Sequence, residues 1–121
     1  MAASTARKRS AASAIGPTIV DGNDVLQPLG GCFHVAGASN ATVALDGLII
    51  TRGYADRGGG IRNGYAASNT FGDLTVANCI LTNNHGATHA GGIFNDWGDL
   101  TVTDTTFTGN YAGNKGGAIL N

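Results

Sequence analysis

Apolar residues in this chain come in short bursts separated by turn-forming residues. Leu74-Thr75-Val76, Ile80-Leu81-Thr82 and Ile93-Phe94-Asn95 each have Gly, Asn or Asp within two residues on either side. An apolar residue at every second position is the pattern of a strand that buries one face. The Gly, Asn and Asp between bursts supply tight turns. No stretch has helical spacing. The pattern predicts many short strands, with Leu74, Val76, Leu81 and Ile93 facing a core.

The bursts repeat. Gly58-Gly59-Gly60-Ile61-Arg62-Asn63 recurs as Ala90-Gly91-Gly92-Ile93-Phe94-Asn95 and as Gly116-Gly117-Ala118-Ile119-Leu120-Asn121. Gly72-Asp73-Leu74-Thr75-Val76 recurs as Gly98-Asp99-Leu100-Thr101-Val102, an offset of 26 that holds without a gap to Asn121. The preceding interval, Asn63 to Asn95, is 32 residues, with the excess in a longer loop over Gly64–Phe71. A fainter copy, Ala44 to Thr51, aligns with Thr75 to Thr82 at an offset of 31.

Such a unit, holding three strand-like pieces and no helix, fits one coil of a parallel β-helix. The expectation is an all-β solenoid of about four coils over residues 17–121, with three parallel sheets and coils stacked about 4.8 Å apart. Leu74/Leu100, Val76/Val102, Leu81/Phe107 and Ile93/Ile119 become vertical neighbours. Asn63, Asn95 and Asn121 form one internal column and Asn84 and Asn110 another, where stacked amides bond along the column. An antiparallel sandwich predicts no such long-range self-similarity, and the leucine-rich repeat frame is missing.

Composition narrows the function. Twenty glycines and only 12% charged residues suit tight turns on a short-stranded fold, and a net charge of −1 gives no electrostatic case for nucleic acid or a membrane surface. No apolar run is long enough to span a bilayer. Residues 1–16, with Arg7-Lys8-Arg9 amid Ala and Ser, lack the apolar core of a secretory signal and read as a disordered lead-in. Cys32 and Cys79 read as small buried hydrophobes, with a single bridge between them as the alternative.

Gly-Gly-x-Ile-x-Asn, followed by Leu74-Thr75-Val76-x-Asn78-Cys79-x-Leu81-Thr82-x-Asn84 and a second Gly-Gly, resembles the repeat of polymorphic outer membrane proteins. It is also similar to the wider pectin-lyase-like, right-handed β-helix proteins of bacterial surfaces. Pro17 to Gly22, Cys32 to Val35 and Val43 to Leu48 resemble an entry coil of such proteins. The resemblance implies a right-handed helix, a secreted or cell-surface location, and lyases, hydrolases, adhesins and autotransporter passengers among its relatives. The pattern stops on Asn121 in mid-repeat, so the chain reads as a fragment of a longer protein. Adjoining coils are its expected partner, with self-association through an uncapped C-terminal edge.

The repeat also aligns surface chemistry. Tyr54, His85 and Tyr111 fall in one column, and Arg57, His89 and Lys115 in another, both placed in a short loop before the Gly-Gly-Ile strand. Alternation turns Arg62, Phe94 and Leu120 outward, with His34 below. In pectin-lyase-like enzymes the corresponding surface is the saccharide cleft, so the resemblance implies a strip that stacks sugar rings and meets acidic groups. Ordinary loop decoration is the plain alternative.

Catalytic groups are sparse. Asp56 is the only carboxylate on the strip, where glycoside hydrolysis needs two. Asp73 and Asp99 stack one coil apart and read as solvated turn residues, with a calcium site as the functional alternative. His85 and His89 have a zinc-like i, i+4 spacing, but on a Gly-rich loop and without further ligands. No cofactor is expected. The sequence therefore supports a non-enzymatic structural or adhesive segment touching acidic glycans of a host or cell surface. A fragment of a polysaccharide lyase or hydrolase with its catalytic residues elsewhere, and a carbohydrate-binding module, are the alternatives.

Overall fold

The computed structural model describes residues 17–36, 41–65 and 72–121. The lead-in expected over residues 1–16, and positions 66–71 of the longer loop, lie outside the described residues. Fifteen short strands and no helix make up the described chain. The first coil holds β1 (Thr18–Asp21), β2 (Leu26–Gln27) and β3 (Phe33–Val35). The second holds β4 (Ala41–Asp46), β5 (Leu48–Thr51), β6 (Tyr54–Arg57) and β7 (Ile61–Asn63). The third holds β8 (Gly72–Ala77), β9 (Ile80–Thr82), β10 (His85–His89) and β11 (Ile93–Asn95). The last holds β12 (Leu100–Thr103), β13 (Thr106–Thr108), β14 (Tyr111–Ala112) and β15 (Ile119–Leu120).

Every strand pairs in parallel with its equivalent one coil away. The stacks are β1-β5-β9-β13, β2-β6-β10-β14, β3-β7-β11-β15 and β4-β8-β12. The chain is a parallel β-solenoid of about three full turns. Register matches the repeat: Leu100 lies on Leu74, Val102 on Val76, Phe107 on Leu81 and Ile119 on Ile93. The cross-section has four sheets, where the apolar bursts alone predict three. The additional sheet is built from Tyr54–Arg57, His85–His89 and their neighbours, which hold few aliphatic residues and so carry no alternation signal. Backbone pairing across coils needs no apolar side chain, and it makes these segments strands.

The corners explain the turn chemistry. Gly47, Asn78 and Asp104 stack at the first corner, Arg52, Asn83 and Gly109 at the second, and Gly58, Ala90 and Gly116 at the third, all with positive φ. One left-handed residue per corner turns the chain, which is why Gly, Asn and Asp dominate there. Arg52 and Ala90 depart from that chemistry, both at φ 53°. The fourth corner is where coil lengths differ. The Asn63 amide donates to the Gly72 carbonyl across nine residues, and Asn95 makes the same bond to Gly98 across three. Those six residues are the whole difference between the 32- and 26-residue intervals.

Val35, Ile50, Ile61, Leu74, Val76, Cys79, Leu81 and Ile93 fill the bore. Ile50, Ile61, Leu74, Val76, Leu81 and Ile93 each have an apolar partner in register above or below, which is how a narrow core excludes water. Ile93 is fully buried, whereas Ile119 at the same place in the last coil is 37% exposed. Two amide columns run beside this core. Asn63 donates to Asn95 (2.8 Å) and Asn95 to Asn121 (2.6 Å). Asn84 donates to Asn110 (3.0 Å) and to the Ile50 carbonyl (3.0 Å), while its oxygen accepts the Gly53 N–H (2.9 Å).

Cys32 and Cys79 are free thiols that bond backbone carbonyls, Cys32 to Thr51 and Cys79 to Ala77. Burial, reinforced by the Asp21 carboxylate, pushes the Cys32 thiol up to about 11. Arg52 reaches across to Asp21 at 2.7 Å, tying the first coil to the second and holding that carboxyl below the usual range.

Asn84 is fully buried and bonds groups in the coils below and above its own. Asn84→Ala orphans the Gly53 N–H and is expected to cost about 3 kcal/mol in urea unfolding; a loss under about 0.5 kcal/mol would show the column to be incidental. The Cys32 thiol gives a pH signature. The unfolded thiol ionises near its ordinary 9.0 while the folded one holds its proton to about 11. Its contribution is complete below pH 9 and is lost as pH rises through that window. The unfolding midpoint is expected to fall from pH 9 to 11 by less in Cys32→Ser than in the parent chain, with neither cysteine alkylated at pH 8 before unfolding.

Candidate functional site

The sheet β2-β6-β10-β14 carries an outward column of Leu26, Tyr54, His85 and Tyr111 in register. Tyr54 and His85 stack face to face, with ring centroids 4.6 Å apart and planes 2° apart. Tyr111 tilts over His85 at 5.0 Å and is 57% exposed. Parallel coil spacing is what brings rings of equivalent residues to stacking distance. This column lies within a sheet and not in a loop, so backbone ladder bonds fix its spacing.

The basic column follows on the same strands. His89 pairs in register with Arg57 below, and Lys115 forms a bridge to His89 above. The register shifts by one residue between Gly86 and His89, a bulge in β10. A bulge re-aims side chains next to it. Here it sets Thr88 over Asp56, so that the Thr88 hydroxyl donates to the Asp56 carboxylate at 2.9 Å and its carbonyl at 3.0 Å. The Asp56 carboxylate also lies 3.6 Å from Arg57 Nε. His89 Nδ1 contacts Thr88 Oγ1 at 3.0 Å.

On the neighbouring sheet, His34, Arg62, Phe94 and Leu120 form the outward column. Alternation makes Arg62 and Phe94 surface groups, but the structure covers them. Arg62 is only 6% exposed and forms an ion pair with Asp96. Its guanidinium lies over the Tyr65 ring at 4.6 Å and the Phe94 ring at 5.4 Å. Arg62 is therefore not a free cation on the strip. It holds the sheet face together, and its Nε has no hydrogen-bond partner among the described residues. Phe94 is 9% exposed, with Arg57 at 5.8 Å and His89 at 6.3 Å from its ring. Tyr65 and Asp96, the covering groups, escape a repeat-based reading because they sit in the variable corner between coils. Their only sequence signal is adjacency to Asn63 and Asn95.

Arg57, His89 and Lys115 line a shallow concavity of about 370 Å³, with Phe94 and Asp96 in its wall and Asn121 at its rim. The tyrosine–histidine stack lies three or four residues earlier in each coil. Cationic and aromatic surface are thus contiguous. Asp73 and Asp99 stack one coil apart and are both exposed, but no cluster of three or more metal-ligating side chains occurs among the described residues. His85 and His89 are partly buried on a strand and separated by the bulge. No family model, curated protein or solved structure matches the chain.

The Arg62–Asp96 pair is buried enough for removal of one member to strand a charge. Asp96→Ala is expected to cost about 3 kcal/mol of stability, and the double change Arg62→Met with Asp96→Ala to recover most of it. Equal losses in the single and double variants would refute the pair as the reason for burial.

Proposed function

We propose that this chain is a non-enzymatic, adhesive segment of a secreted or cell-surface β-helix protein whose aromatic and basic columns contact acidic polysaccharide. The observation that carries the reading is the registered basic column Arg57, His89 and Lys115 in one concavity beside the Tyr54–His85–Tyr111 stack. Aromatic faces stack on the apolar faces of sugar rings, and cations repeated at coil spacing meet carboxylates repeated along a chain. The repeat's similarity to polymorphic outer membrane proteins and pectin-lyase-like proteins supports a surface location and a saccharide ligand. The nearest carboxylates are engaged, Asp56 by Thr88 and Arg57 and Asp96 by Arg62. That favours binding over the paired-acid chemistry of a hydrolase.

Each exposed ionic contact is worth at most about 1 kcal/mol, so useful affinity requires all three coils at once. Titration with polygalacturonate is expected to show roughly millimolar to high-micromolar, salt-sensitive binding. A neutral glucan is expected to bind more weakly. Tyr111→Ala and Lys115→Ala each reduce binding without changing the unfolding midpoint. Equal or absent binding to both glycans would sink the reading, and release of unsaturated or reducing ends would replace it with an enzymatic one.

A further inference from the structure

We propose that capture of a carboxylate-bearing polysaccharide on this face takes up one proton at His89, making the contact tighter in mildly acidic than in mildly alkaline solution. This inference rests on the binding reading above and adds its regulation. The geometry around His89 fixes which ring nitrogen carries hydrogen. Thr88 Oγ1 lies 2.9 Å from the Asp56 carboxylate and 3.0 Å from the Asp56 carbonyl, both of which only accept. The single hydroxyl hydrogen is therefore committed to Asp56. Toward His89 Nδ1, 3.0 Å away, the hydroxyl can only accept, so Nδ1 carries a hydrogen. In the neutral ring the lone pair then lies on Nε2.

A neutral His89 thus places an acceptor in the middle of the basic column, with nothing to donate to a carboxylate. Protonation at Nε2 converts it to a donor and a cation, and leaves the bond from Nδ1 to Thr88 intact. No rearrangement is needed. Several charged groups face His89. Arg57 from the coil below and Lys115 from the coil above oppose a third positive charge. Asp56 favours it through Thr88, although it is shared with Arg57. Asp96 in the wall is paired with Arg62, Asn121, the last residue, stands at the rim, and His85 on the same strand lies between the two tyrosines. A polyanion laid along the column neutralises Arg57 and Lys115 and removes the main opposition. Binding and protonation then reinforce each other, each raising the affinity for the other by the same factor. Histidine in general is the side chain whose charge changes between pH 5 and 8, so the comparison is made near the ends of that range.

The test is titration calorimetry with polygalacturonate, whose carboxylates stay ionised throughout, at pH 5.5 and pH 8 in buffers of different ionisation enthalpy. The parent chain is expected to bind about fivefold more tightly at pH 5.5, the ratio equivalent to one exposed charge contact, with net proton uptake near neutrality. His89→Gln is expected to bind equally at both pH values at the weaker level, and His89→Lys equally at the tighter level. His85→Asn keeps the pH ratio even where its affinity drops. Parent binding that is equal at both pH values without proton uptake would overturn the proton coupling and leave the glycan reading standing. A pH ratio that survives in His89→Gln would assign the proton elsewhere and overturn it too. Absence of binding at either pH would overturn both.

Discussion

The structure depends on one constraint: each short strand must find its equivalent one coil away in parallel register. Strands of two to six residues form no stable pair alone, and the bore is too narrow for interdigitating layers. Stability has to come from stacking like on like. Leu74 on Leu100, Leu81 on Phe107 and Ile61 under Ile93 give each aliphatic group a vertical partner. The amide columns answer the same constraint for polar groups. Asn84 can be fully buried because the coil below presents the Gly53 N–H and the coil above the Asn110 side chain.

The same register that fills the inside arranges the outside. A residue substituted at an outward position of any coil is placed directly above and below its equivalents, so a column of rings or cations is built without dedicated machinery. Tyr54, His85 and Tyr111 stack for the reason that the isoleucines do. The bulge in β10 is the local departure. One extra residue there brings Thr88 over Asp56 and His89 into line with Arg57 and Lys115. A solenoid thereby gains a hydrogen-bonded group that ideal repetition would not supply.

Arg62 shows the cost of placing a charge on such a face. An arginine between two aromatic rings, with a carboxylate as its ion-pair partner, is a workable burial, because the guanidinium stacks through its plane and donates through its edge. Tyr65, Phe94 and Asp96 provide those partners from three positions that are not equivalent in the repeat. The irregular corner between coils, where insertions are tolerated, is what makes this clamp possible.

The amino-acid sequence by itself determined the all-β coil, its register and its internal columns. Repetition of Gly-Gly-x-Ile-x-Asn and Leu-Thr-Val at fixed offsets permits only one way to stack equivalents. It also identified the members of the two outward columns. It could not show the fourth sheet, because Tyr54–Arg57 and His85–His89 become strands through backbone pairing with other coils, which leaves no mark of alternating hydrophobicity. Nor could it show that Arg62 is covered and Arg57 is not. Both are arginines in aligned columns, and the difference lies in Tyr65 and Asp96 folding back from a non-repeating corner. Only the tertiary structure decided which charges meet solvent, because burial depends on neighbours brought together by the coil and not on the residue or its place in the repeat.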